Sequence, residues 1–123
     1  MTKNFKRQEF FCKCGCSIPD RIQSNVWALA QELQVLRDEV KKPIKIMSGY
    51  RCKTHNTKVG GAKQSQHMTG RAADIIVEGM DSSEVADTIE TLISVGRMRE
   101  GGLGRYAGFT HYDIRGAKAR WQR

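Results

Sequence analysis

The run Ala72-Ala73-Asp74-Ile75-Ile76-Val77 reads as a buried strand, and the turn signal Thr69-Gly70 stands just before it. This turn-to-strand unit constrains the fold more than any other stretch, because it fixes where polar chemistry meets the core. His67 falls in the loop and Asp74 on the strand, and the turn between them lets both side chains converge on one point. Val59 through Gln66, small and polar, supplies the loop. Upstream, Val26, Leu29, Ala30, Leu33, Leu36 and Val40 recur at helical spacing and predict a helix from Ser24 to Lys41-Lys42-Pro43. Pro43-Ile44-Lys45-Ile46-Met47 alternates apolar and polar residues as a strand does; Ser48-Gly49 closes it, and a short helix or loop follows through Asn56. Downstream, Asp81 and Glu84 suit a capped helix start, and Val85, Ile89, Leu92 and Ile93 make one apolar face up to Gly96. Gly101-Gly102-Leu103-Gly104 opens a hairpin whose return strand runs from Phe109 to Arg115, with His111 and Asp113 on the same face. The pattern is α+β: two main helices packed on a small, largely antiparallel sheet.

At 123 residues, 39% of them hydrophobic, the chain has the size and the apolar content of a single domain. It divides into a Cys-containing N-terminal segment, 1–19, the body, and a basic tail, 116–123. No apolar run approaches the ~18 residues of a membrane span, which excludes membrane insertion through a helix. Lys and Arg number 21 against 13 acidic residues, a net charge of +8 that favours an anionic partner. The basic residues are scattered and accompany few aromatics, so specific nucleic-acid binding is not expected, and anionic cell-wall polymers fit the charge as well. No apolar stretch follows Met1–Arg7, which predicts synthesis in the cytoplasm without a signal peptide. Reduced thiols are then expected at Cys12, Cys14, Cys16 and Cys52. Neighbours at the Cys-x-Cys-x-Cys spacing are poor disulfide partners, and that spacing departs from the Cys-x2-Cys knuckle, which argues against a second, cysteine-bound ion.

Two of the three histidines lie beside an aspartate in loop-to-strand settings, in Ser65-Gln66-His67-Met68-Thr69-Gly70-Arg71-Ala72-Ala73-Asp74 and in Thr110-His111-Tyr112-Asp113. Two imidazoles and one carboxylate are a ligand set for a catalytic Zn2+, which takes three protein ligands and leaves a fourth position for water. By spacing alone each histidine also fits an ordinary, satisfied structural role. His55, in Arg51-Cys52-Lys53-Thr54-His55-Asn56, reads as hydrogen-bonding its loop rather than as a metal contact.

Ser48-Gly49-Tyr50-Arg51, His55-Asn56, Val59-Gly60-Gly61-Ala62, Ser65-x-His67-x-x-Gly70-x-Ala72-x-Asp74 and His111-x-Asp113 together resemble the zinc D-alanyl-D-alanine carboxypeptidase family of peptidoglycan peptidases, which includes phage endolysins and murein endopeptidases. The resemblance runs from about Phe10 to Arg115 and implies the fold shared by these enzymes and hedgehog signalling domains. It implies one catalytic Zn2+ on His67, Asp74 and His111, with Arg51 binding substrate or the oxyanion. Ser65 is a further candidate for binding substrate, and Tyr106 reads either as lining the cleft or as packing within its hairpin. Many members carry a general-base glutamate where this chain has Gly108. Asp113 is then the expected catalytic base, with a role in orienting a ligand or pairing with Arg115 as the alternative, and Glu100 held in reserve. The expected activity is hydrolysis of a peptide bond in the peptidoglycan stem or cross-link, as a D-Ala-D-Ala carboxypeptidase or an L,D- or D,D-endopeptidase. A monomer acting on the wall after phage lysis or from a virion is the expected setting. A non-catalytic, zinc-containing wall-binding or virion-associated module is the competing reading.

Overall fold

The computed structural model describes all residues, 1–123. Its elements in chain order are α1 (Gln23–Val40), β1 (Ile44–Ser48), α2 (Lys53–Lys58), β2 (Ala72–Val77), α3 (Ser82–Ser94), β3 (Gly102–Arg105), β4 (Thr110–Asp113) and β5 (Ala119–Gln122). The strands form one sheet in the order β1-β2-β4-β3-β5. The β1–β2, β2–β4 and β3–β4 pairs are antiparallel, and β3–β5 is parallel. The α+β architecture with two main helices and a largely antiparallel sheet is the one the sequence predicts.

Local chemistry sets the helix ends. Lys41 takes a left-handed φ of 56° after α1, and Pro43 two residues on cannot continue a helix. Asp81 and Glu84 form the reciprocal capping box at the start of α3. Val26, Leu29, Ala30, Leu33 and Leu36 of α1 and Val85, Ala86, Ile89 and Leu92 of α3 are buried, so the two apolar stripes share one core with Ile75, Leu103 and Tyr112 from the sheet. No helix is long and apolar enough to cross a membrane.

The two ends of the chain are more structured than the sequence suggests. Phe5, Phe10, Cys12 and Ile18 of the N-terminal segment are buried in the core. Residues 116–123, expected as a basic tail, instead carry β5. Arg120 bonds Glu90, Glu100 and the Gly101 carbonyl, and Trp121 covers Gly104, where a Cβ would meet the indole. Of the three basic residues that made the segment look like a tail, Arg120 is paired with acidic groups on α3 and the loop that follows it.

Candidate metal centre

Asp74 of β2 stands directly opposite His111 of β4 in the sheet register. His67 comes from the short 3-10 turn Gln66–Thr69 shortly before β2, where the Ser65 hydroxyl accepts the His67 N–H at 3.2 Å. Gly70 then reverses the chain at φ 73°, and a Cβ there would lie 2.7 Å from Val26 Cγ2. Only glycine meets both demands, and the reversal is what points His67 and Asp74 at the same place.

One donor atom from each of His67, Asp74 and His111 lies within 4.8 Å of the other two. His67 Nε2 is 3.3 Å and His111 Nδ1 2.9 Å from Asp74 Oδ1. Each side chain is also held from behind. His67 Nδ1–H donates to the Gly49 carbonyl at 2.8 Å, which leaves Nε2 of the neutral ring as a lone-pair donor. His111 Nε2–H donates to Asp113 Oδ2 at 2.8 Å, which turns Nδ1 toward Asp74. Arg51 reaches Asp74 Oδ2 at 3.3 Å while its other nitrogens donate to Ser48 Oγ and Asn56 Oδ1, each at 3.1 Å. Two imidazoles and a carboxylate, buried, convergent and oriented by outer hydrogen bonds, are the donor chemistry that fits a zinc ion.

Burial pushes the Asp74 carboxyl up, but the neighbouring His111 and His67 imidazoles outweigh it and hold it well below the usual carboxylate range. Burial pushes His111 down, and its bonds to Asp113 and Asp74 reverse that, leaving it raised. Asp113 is likewise pushed up by burial and brought well below its ordinary value by His111 and Arg115.

The three donors sit in a cleft of about 600 Å³. Of the residues expected there, Arg51, Ser65, His67, Asp74, Tyr106 and His111 all line it. Asp113 does not: its side chain is fully buried behind His111, and its oxygens accept from Gly102 N–H, Arg115 and His111. Glu100 lies outside the cleft, bonded to Arg120 and the Gly101 N–H, and Gly108 and His55 are absent from the lining as well. Asp74 is therefore the sole carboxylate in the cleft wall.

Sequence reasoning missed Trp121 and Arg123 as cleft residues, and had Arg115 only as a partner for Asp113. Trp121 packs on the His111 ring at 5.0 Å between centroids, receives Arg115 over its face at 5.3 Å, and donates its indole N–H to the Tyr106 hydroxyl at 2.9 Å. Trp121 lies in β5, Arg115 before it and Arg123 directly after it, and the only sequence signal of that strand was one tryptophan among charges.

Comparison with known proteins places this geometry in context. The sequence model of a family described as Peptidase M15 matches residues 3–113. The zinc D-Ala-D-Ala carboxypeptidase of Streptomyces albus G is 41% identical over 54 residues, 43% of this chain and 21% of that protein. The peptidoglycan L,D-endopeptidase MepK of Escherichia coli K12 is 34% identical over 80 residues, 59% of this chain and 41% of that protein. The matched segments thus span about a fifth of one relative and about two fifths of the other.

Proposed function

Because this chain belongs to the Peptidase M15 family, we propose that it is a zinc-dependent peptidase hydrolysing a peptide bond in the peptidoglycan stem or cross-link. The observation that carries the reading is the convergence of His67, Asp74 and His111 in one cleft, each oriented from behind. His67, Asp74 and His111 would hold a zinc ion, which would supply Lewis acidity toward a scissile carbonyl and toward water. Everything else falls to the chain's own groups.

The Gly49 carbonyl and the Asp113 carboxylate fix which nitrogen of each imidazole faces the cleft. Of the two roles the sequence left open for Asp113, this proposal takes the positioning one over the proton shuttle, since its oxygens are engaged by Gly102, Arg115 and His111. Arg51, fixed by Ser48 and Asn56, faces the cleft beside Asp74 and binds a substrate carboxylate or the developing oxyanion. Ser65 and Tyr106 line the path of the substrate, with Trp121, Arg115 and Arg123 completing its wall. The +8 charge supports a target among anionic wall polymers, and a monomer acting on the wall during phage lysis or from a virion is the setting we propose with it.

One observation favours a second reading, a zinc-containing module that binds wall peptides without turnover: the cleft wall offers no carboxylate beyond Asp74. Defined muropeptides incubated with the chain, with chelator and with zinc restored, separate the two when the products are read by mass spectrometry. Chelator-sensitive cleavage lost in His67→Ala supports the peptidase and names the bond. Zinc bound through His67 without cleavage of any muropeptide leaves the binding module.

A further inference from the structure

The four cysteines lie outside the cleft and meet in one place. Cys12, Cys14 and Cys16 come from the N-terminal loop, and Cys52 is the N-cap of α2. Gly15, at φ 99°, turns the loop back between Cys14 and Cys16, and its N–H donates to the Cys12 carbonyl at 2.9 Å. The Tyr50 N–H donates to the Phe10 carbonyl at 2.9 Å, which lays the chain before Cys52 against the start of that loop. The fold thus supplies the fourth sulfur that the linear spacing lacked.

All four Sγ atoms lie within 4.8 Å of one another. Cys14 is 3.2 Å from Cys16 and 3.6 Å from Cys52, and Cys52 is 3.8 Å from Cys12. A tetrahedron with metal–sulfur bonds of about 2.3 Å has edges of about 3.8 Å, so the separations already approach that figure. Cys14 and Cys52 each approach two other sulfurs, an arrangement of one cluster and not of two separate pairs. The Cys52 N–H donates to Cys12 Sγ and the His55 N–H to Cys52 Sγ, both at 3.4 Å, hydrogen bonds that favour thiolate.

We propose that Cys12, Cys14, Cys16 and Cys52 form a second metal site, a closed all-thiolate tetrahedron that takes a structural Zn2+. Four protein ligands leave no open position, so the site holds structure and carries no chemistry. It joins the N-terminal loop to the residue after Arg51, and so fastens that edge of the cleft. This proposed site departs from the expectation that the Cys-x-Cys-x-Cys spacing argues against an ion, and it rests on a closing ligand that is remote in sequence. The proposal is independent of the activity proposed for the cleft.

The test is metal analysis of the chain purified under reducing conditions, with zinc and iron measured per chain, followed by replacement with Co2+ alone. Cys14→Ser, at an exposed position, is expected to lose one equivalent of zinc and the sulfur-to-cobalt charge-transfer absorption. His67→Ala is expected to keep that absorption whatever it does to the cleft. Cys16→Ser repeats the measurement at a second ligand, so that one misfolded variant does not decide it. Zinc content and cobalt spectrum unchanged in both cysteine variants would overturn the proposal, as would iron in place of zinc. Recovery of the four sulfurs as disulfides from reducing buffer would do the same.

Discussion

The molecule gathers metal-ligating side chains in two regions, and it builds them by opposite means. In the cleft, Asp74 and His111 face each other across paired strands and His67 is fixed by a capped turn, so hydrogen bonds to Gly49, Arg51 and Asp113 hold the donors in place. At the cysteine node, three ligands ride on a loop outside the sheet, and what brings them together is one glycine turn, a few N–H to sulfur bonds and the N-cap of α2. A site built on strands is organised by the fold; a site built on a loop in turn organises the fold. Removing metal from the first should therefore cost chemistry, and from the second, stability.

The sharpest way to break that comparison is His67→Ala. Hydrolysis of a muropeptide is expected to fall to background while the far-UV circular dichroism and the cooperative melt remain, because β2 and β4 pair without the imidazole. Collapse of the melt in this variant would mean that the cleft, too, depends on its metal for folding. Cys14→Ser is the converse case. With free zinc held at about a thousand times its dissociation constant, loss of a bound ion removes about 4 kcal/mol of stability. The melting curve of the parent chain should shift down on chelation, and that of Cys14→Ser should shift less. Equal shifts in the two would remove the node's claim to a structural role.

Asp113→Asn sharpens the comparison inside the cleft. An asparagine keeps the shape behind His111 but weakens the acceptor for its Nε2–H and the partner of Arg115. Positioning groups of this kind are worth 10–100-fold in metal affinity or activity, about 1.4–2.8 kcal/mol. Weaker zinc binding, with activity largely recovered at excess zinc, is the expected result from titration and kinetics together. A loss of kcat that no zinc concentration restores would return Asp113 to the role of base.

These contrasts also mark what could be read before the fold was seen. His67, Asp74 and His111 were legible because a turn signal brings the first two together and the family resemblance singles out all three, where spacing alone left each histidine a structural role. The role of Asp113 was not: spacing puts it on the face of His111, but whether its oxygens meet the cleft or Arg115 depends on β3, whose Gly102 N–H completes its shell. Cys52 and Cys12 are separated by forty positions, and tertiary contacts such as that of Phe10 with Tyr50 are what bring them together. The fifth strand was hidden for an electrostatic reason, since a basic stretch reads as solvated until its acidic partners on α3 and the loop after it are in place.

That strand supplies the smallest prediction, and it concerns the cleft wall that neither metal fastens. Arg120 of β5 bonds both oxygens of Glu90 and one of Glu100 and thereby holds Trp121 against His111. The Arg120 guanidinium draws both carboxyls below their ordinary values, against a smaller opposing effect of burial. A group with a lowered folded pKa contributes stability that is complete above its unfolded value, about 4.3 for glutamate, and that is lost as pH falls through the folded one. Both glutamates are more than a third exposed, so solvent screening limits each pair to less than about 1 kcal/mol. The parent chain should accordingly lose slightly more stability than Glu90→Gln between neutral pH and pH values below about 4. Indole fluorescence would report whether the loss is local to Trp121, although Trp27 also emits and must be replaced by phenylalanine in both chains. Identical acid profiles would show that β5 is held by its parallel ladder to β3 and by Trp121 over Gly104, with its charges serving only to keep the edge soluble.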